Sequence, residues 1–216
     1  MGYALVLPAA YLLGSISWGL LVGKLARGID LRQYGSGATG ATNVLRALGP
    51  RLAGLVMVAD ISKGVIAVLL ARLVTHDAVA ESLAGILVVV GHNWPVFSRF
   101  QGGRGTTTGV GGLAVISPLA AAVALAVFVF TVVASRYASL GSVLAVLTAM
   151  IALPVLIVIG PEPSEYPYLI YVAIGCPLIL WRHRGNIQRL AQGKEPRISL
   201  GRTSDSHDGG TAEGGR

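Results

Sequence analysis

Residues 106–136 read TTTGVGGLAVISPLAAAVALAVFVFTVVASR, and the number of helices in this stretch sets the topology of everything around it. As one apolar helix it would cross a bilayer once and carry Arg136 to the opposite side from Thr106. Ser117-Pro118 argues against that. Proline disfavours helical geometry at the residue before it and brings no N–H to the preceding turn. The sequence therefore predicts two segments, about Thr107 to Ile116 and Leu119 to Ala134, which return Arg136 to the side of Thr106. A break at membrane depth is tolerated where protein covers it.

The rest of the chain has the composition of a membrane protein. Its 216 residues are 53% hydrophobic and 12% charged, with a mean hydropathy of +0.68. A soluble domain carries about twice that charged fraction. The formal net charge of +7 clusters at segment ends facing one side, as the positive-inside rule requires, and gives no reason to expect nucleic acid as a partner. Cys176, alone and within an apolar segment, excludes a disulfide framework and a Cys-based metal site. No metal-ligand constellation and no cofactor motif is evident. Without Lys or Arg before Lys24, no cleavable signal peptide is expected.

Working outward from the break, the expected segments are about Tyr3 to Leu25, Leu52 to Val74, Ala80 to Pro95, Leu140 to Ile159 and Tyr168 to Trp181. With the two halves of residues 106–136 this gives an all-α polytopic membrane protein of about seven transmembrane or partly spanning helices. Lys24, Arg27, Arg32, Arg46 and Arg51 place the first loop in the cytoplasm, so the N-terminus is expected outside and the C-terminus inside. The acidic loop Pro161 to Glu165 falls outside. Residues 1–200 form the membrane domain, and residues 201–216, rich in Gly, Ser, Thr and Asp, are expected to be a disordered cytoplasmic tail.

Three polar clusters then share the cytoplasmic face. The first is Gly35-Ser36-Gly37-Ala38-Thr39-Gly40-Ala41-Thr42-Asn43-Val44-Leu45-Arg46, in which Asn43 and Arg46 stand three apart on a short helix. In the second, Gly91-His92-Asn93-Trp94-Pro95 runs on to Gln101-Gly102-Gly103-Arg104-Gly105-Thr106-Thr107-Thr108. Inward N–H groups of such a loop form an anion nest, the arginine adds a fork of donors, and the threonines open a helix whose N-terminus also favours negative charge. The third runs from Arg182-His183-Arg184-Gly185-Asn186 to Gly193-Lys194-Glu195-Pro196-Arg197-Ile198. Each alone reads equally as a turn, a helix cap or a positive-inside charge. Asp60 and Lys63, within an apolar helix, read as a structural pair, and His92 as ambiguous. Together the clusters point to a phosphorylated molecule handled beside lipid, by positioning more than by covalent catalysis.

Order, spacing and topology of the three clusters resemble the bacterial acyl-phosphate:glycerol-3-phosphate acyltransferases (PlsY-type), from the first segment to about Leu200. Asp60-x-x-Lys63-Gly64 and Arg136-Tyr137 also fit. The resemblance implies transfer of a fatty acyl chain from acyl phosphate to the 1-hydroxyl of glycerol 3-phosphate at the bacterial plasma membrane. It implies that Gly102, Gly103 and Gly105 with Thr106, Thr107 and Thr108 cradle the acyl-phosphate phosphate. Ser36, Asn43, Arg46 and Arg104 would hold head groups, with Arg46 and Arg104 on glycerol phosphate. His183 and Asn186 would orient the attacking hydroxyl, and the acyl chain would lie in an apolar groove between helices. The chain departs from the family pattern at Arg104, where lysine is usual. It departs also at Thr106-Thr107-Thr108, usually Val-Ala-Thr, and at Ala38-Thr39, usually Asn-Ile. These departures motivate an alternative, a catalytically inactive lipid- or phosphate-binding protein on the same scaffold. An anion transporter is disfavoured because the polar residues concentrate on one side.

Overall fold

The computed structural model describes residues 1–159 and 165–198, and among them every regular element is helical. The acidic loop at 161–164 and the tail at 201–216 lie outside the described residues. Gly2–Arg27, Pro50–Thr75, Ala78–Ser98, Pro118–Ser135 and Ala138–Ile159 are long and apolar enough to cross a membrane, whereas Thr106–Ile116 and Tyr166–Arg182 are shorter.

The first segment is not the uninterrupted helix that its composition suggests. It divides into α1 (Gly2–Gly14) and α2 (Trp18–Arg27), with Gly14 before the break at Ser15–Ser17 and no proline at it. The cause is tertiary. Lys63 Nζ donates to the carbonyls of Gly14 (3.2 Å) and Ile16 (3.3 Å). A break frees those oxygens from the intrahelical ladder. The next helices are α3 (Ala41–Leu48), α4 (Pro50–Thr75) and α5 (Ala78–Asn93). Pro50 opens α4 at a position where a missing N–H is harmless. Asp77 caps α5 by accepting from Val79 N–H at 2.8 Å.

The predicted break at Ser117-Pro118 is present, between α6 (Thr106–Ile116) and α7 (Pro118–Ser135). Ser117 caps α7, accepting from Ala120 N–H at 3.3 Å. Arg72 Nη2 reaches the Val115 carbonyl at 3.0 Å, so protein covers the end of the short α6. After α7 the chain turns at Arg136 into α8 (Ala138–Ile159). The last apolar segment is interrupted too: a 3-10 turn at Tyr166–Tyr168 and a π turn at Tyr171–Gly175 precede α9 (Cys176–Arg182), and α10 (Arg184–Ala191) follows.

Small residues bring the helices to backbone contact. A side chain on Gly64 of α4 would collide with the Thr108 carbonyl of α6, and one on Gly111 with the Ile61 carbonyl. Gly14 and Gly91 do the same for α1 against α5. In an apolar solvent such close approach substitutes for the hydrophobic drive that packs soluble helices. It also fixes the start of α6 against α4 and α5, where the polar clusters meet.

Candidate active site

Asn43 builds the first loop. Its Nδ2 donates to the carbonyls of Leu31 (3.2 Å), Tyr34 (2.9 Å) and Ala38 (2.9 Å), and its Oδ1 accepts from Ser36 N–H (3.1 Å). The amide that the sequence offers as a ligand is therefore occupied in folding the loop, and Ser36 is the residue it presents.

The glycine-rich loop lies over His92. A Cβ on Gly102 would strike the His92 carbonyl, and one on Gly103 would strike the imidazole at Nε2. Gly103 N–H donates to His92 O at 3.0 Å, while the Gly103 carbonyl accepts from Arg182 Nη2 at 2.9 Å. Arg182 in turn lies 5.3 Å from the Trp94 ring centre, and Trp94 packs on Trp181 with centroids 5.6 Å apart. Gly102 and Gly103 thus anchor the loop. Gly105, at φ 86, turns the chain into α6 with no side chain to cap it. The first-turn N–H groups of α6 are left free for an anion.

A pocket of about 70 Å³ opens there, with Ser36, His92, Arg104, Gly105, Thr106, Thr107, Ser139 and His183 among its lining residues. Arg104 faces no carboxylate within ion-pair distance and makes no hydrogen bond to the described residues. Burial pushes its guanidinium down to about 10; Glu195 opposes the fall, and Arg189, Arg46 and Arg182 add to it. Arg46, outside the pocket lining, donates to the Pro196 carbonyl at 3.2 Å and keeps a buried Nε without a partner. Burial lowers its pKa as well. Desolvated guanidinium groups without matching acids form an electropositive site, which an anionic ligand completes.

His183 is 2% exposed. Its Nδ1 lies 2.9 Å from the Ile179 carbonyl, which can only accept, so Nδ1 carries the proton and Nε2 keeps its lone pair. Burial holds the imidazole down at about 4; the Ile179 carbonyl pulls upward and the Arg104 and Arg182 charges push down. Asn186 does not line the pocket. It donates from Nδ2 to Glu195 Oε1 at 2.6 Å, and Arg189 Nε holds Glu195 Oε2 at 2.7 Å. Burial pulls Glu195 upward, but these bonds outweigh it and hold the carboxyl below its usual range. The strap at residues 193–198 is thereby tied to α10, to Arg46 through Pro196, and to Arg136, whose carbonyl accepts from Ile198 N–H at 2.8 Å.

Of the residues that sequence singles out, Ser36, Asn43, Arg104, Gly105, Thr106, Thr107 and His183 meet in one pocket. Gly102, Gly103, Arg46 and Asn186 support it from outside. Thr108 is buried beneath it with Oγ1 unpartnered. His92 belongs to the pocket, which the sequence alone leaves undecided. Beside it an apolar pocket of about 30 Å³, lined by Val89, Val110, Leu113, Ala145, Val146 and Ile179 among others, shares Thr106 with the polar one.

Residues 4–193 match the family described as glycerol-3-phosphate acyltransferase. The chain is similar to the glycerol-3-phosphate acyltransferase of Halalkalibacterium halodurans, 44% identical over 201 residues that cover 92% of this chain and 96% of that protein. It is similar also to glycerol-3-phosphate acyltransferase 3 of Dehalococcoides mccartyi, 43% identical over 90% of this chain and 95% of that one. Among solved structures it is similar to PlsY, an integral membrane glycerol 3-phosphate acyltransferase, in its glycerol 3-phosphate form. The TM-score is 0.85 and the identity 37%, over 92% of this chain and 96% of that one. The lysophosphatidic acid form of PlsY gives a TM-score of 0.83 at 36% identity, with the same coverage.

Proposed function

The chain belongs to the glycerol-3-phosphate acyltransferase family, and we propose that it transfers a fatty acyl group from acyl phosphate to the 1-hydroxyl of glycerol 3-phosphate. The products are 1-acyl-glycerol 3-phosphate (lysophosphatidic acid) and inorganic phosphate. The observation that carries this reading is Arg104, a desolvated guanidinium without an acid partner, facing the His183 pocket and the open start of α6.

Acyl phosphate is already activated, so no protein nucleophile is needed and the work is alignment and charge stabilisation. The acyl-phosphate phosphate sits on the first turn of α6, at Gly105 to Thr107. Its chain passes Thr106 along the apolar residues that line the neighbouring pocket. Arg104 and Ser36 hold the phosphate of glycerol 3-phosphate, and Arg46 adds positive charge from outside the pocket lining. The 1-hydroxyl donates to His183 Nε2, the acceptor that the Ile179 carbonyl leaves free. Its oxygen bonds to the acyl carbon, and the bond from that carbon to the phosphate oxygen breaks. The hydroxyl proton leaves through His183 Nε2 or on the departing phosphate. Asn186 and Glu195 brace the strap against α10, and Asn43 braces Ser36. The basic residues of the loops support a site on the cytoplasmic side of the plasma membrane, with about seven helical segments and the N-terminus outside.

The test uses purified protein in lipid with palmitoyl phosphate and labelled glycerol 3-phosphate, following phosphate release and lipid product together. The expected result is stoichiometric phosphate and lysophosphatidic acid from wild type and neither from His183→Ala. Ligand binding without turnover in wild type, with turnover appearing in Arg104→Lys, would establish the inactive alternative instead.

A further inference from the structure

We propose that His92 is a substrate-binding residue of this site, its Nε2–H donating to a phosphoryl oxygen of the anion on the first turn of α6. Asp60 and Lys63 are positioning residues that fix the tautomer. The inference rests on the reading of the site given above.

Lys63 is 1% exposed. Its ammonium lies 2.9 Å from Asp60 Oδ1, 3.2 Å from Gly14 O, 3.3 Å from Ile16 O and 2.7 Å from His92 Nδ1. An ammonium has three N–H donors and no lone pair, so towards these four neighbours it can only donate, three of them in full and the fourth by charge or a shared hydrogen. The nearest of them is the histidine nitrogen. Nδ1 therefore carries no hydrogen, and a neutral imidazole must then carry it on Nε2. The competing arrangement has Nδ1–H donating to Asp60 Oδ1, 3.4 Å away. It would point a hydrogen into the cluster beside the ammonium at the shorter distance, where Asp60 Oδ1 at 2.9 Å is the counter-ion of that ammonium.

Nε2 is the atom that matters. His92 is 4% exposed and lines the polar pocket, and Nε2 meets no hydrogen-bond partner among the described residues. The main chain holds the ring in place through Gly103 N–H on His92 O. Gly103 packs against the ring at Nε2, where any side chain would collide with that nitrogen. A donor that opens on a nearly closed pocket favours a ligand that accepts from it. The two histidines of the pocket therefore present opposite polarity. His183 offers a lone pair suited to a hydroxyl, and His92 offers a hydrogen suited to a phosphate oxygen. Asp60, Lys63 and Gly103 are the parts that set the second.

The full chain, labelled with 15N-histidine in lipid nanodiscs, tests this. His92 signals are assigned by their loss in His92→Gln. The expected spectrum has His92 protonated at Nε2 and His183 at Nδ1, and inorganic phosphate moves the His92 Nε2 signal. Kinetically, His92→Phe should raise KM for palmitoyl phosphate about 10- to 100-fold, the loss of one hydrogen bond to a charged group, with a smaller change in kcat. His92→Gln, whose amide N–H falls near Nε2, should recover most of that loss. The neutral pair Asp60→Asn/Lys63→Met, chosen so that neither charge is left buried alone, should yield a mixed His92 tautomer and a raised KM. His92 protonated at Nδ1, phosphate that moves His183 but not His92, or unchanged KM in His92→Phe each overturn the inference and leave the acyltransferase reading intact. Phosphate that moves His92 in a protein making no lipid product does the reverse.

Discussion

Two ionic clusters are strung along the same pair of helices, α4 and α5, and they end differently. At one, Arg72 and Glu81 pair at 2.8 Å, the Tyr168 hydroxyl donates to the same Glu81 oxygen at 2.9 Å, and Arg72 continues to the Val115 carbonyl at 3.0 Å. Each contact there ends on protein, and its result is to hold the far end of α6. At the other, nine residues or roughly 14 Å along α4, Lys63 and Asp60 also pair, but the chain of contacts runs through His92 into an open pocket. A buried pair in an apolar helix therefore does not by itself announce a site. What separates the two is whether the last polar atom meets protein or an opening.

Arg104 gives the largest effect on this distinction. As a group awaiting a ligand, its loss should damage activity without damaging the fold. Arg104→Met is expected to lower acyl transfer about 10²- to 10³-fold, the scale of losing one preorganised charge-stabilising donor. The thermal midpoint without ligand should hold or rise, because an unpaired desolvated charge is removed. Initial rates and thermal unfolding of one preparation check both halves. A midpoint that falls with the rate would mean that Arg104 has a structural partner and would break the comparison.

Glu81→Gln should do the opposite. Gln keeps one carbonyl oxygen for Arg72 and Tyr168 but removes the charge paired with Arg72, and the partial exposure of Arg72 limits the loss to about 2 kcal/mol, below the usual cost of breaking a fully buried pair. For a chain of this size that is a fall of about 5 °C in thermal midpoint. The rate per folded molecule should be unchanged. Stability and turnover measured on the same two variants thus sort the two ends of α4.

His183 sharpens the contrast through pH. Its folded value of about 4 lies below the ordinary 6.5, so its acceptor is present at neutral pH and is lost as pH falls through about 4. Between about 6.5 and 4 the unfolded chain takes up a proton that the folded chain does not, so acidification in that window lowers stability; above it the group contributes no pH dependence. Histidine NMR should show the inflection near 4 without ligand. Saturating inorganic phosphate should move it upward, since an adjacent anion favours the imidazolium. An inflection near 6.5 that phosphate leaves in place would show His183 open to solvent and not in a closed anion pocket.

How legible these features are in the sequence follows from where their causes lie. The break at Ser117-Pro118 is local chemistry, and the helix ends fall where proline and capping residues put them. The break after Gly14 is not local: it exists because Lys63, almost fifty residues on, takes two carbonyls. The π turn at Tyr171–Gly175 has no periodic signature either. In the site, Arg104, Ser36 and His183 are legible because a glycine-rich loop and spaced motifs leave them few other uses. Asn43 and Asn186 show the limit. An amide beside a motif looks the same in sequence whether it faces substrate or carbonyls, and here Asn43 folds its own loop and Asn186 grips Glu195. His92 could have been found from one signal, a Lys–Asp pair too costly to stand alone in an apolar helix, but the spacing does not say which distant residue completes it.

The smallest effect is expected at Tyr168. Its hydroxyl gives Glu81 a second donor, while the Arg72 fork reaches the same carboxylate oxygen from Nε at 3.0 Å and from Nη2 at 2.8 Å. Tyr168→Phe removes one neutral hydrogen bond and keeps the ring in its buried position, so the loss should be about 1 kcal/mol. Glu81 stays paired, no polar atom of the ring is stranded, and the polar pocket lies at the other end of α5. Thermal unfolding should therefore show a drop smaller than that of Glu81→Gln, with KM for both substrates unchanged. A larger drop than Glu81→Gln, or any shift in KM, would mean that the Arg72 end of the helix pair is coupled to the site, and that the two clusters act as one.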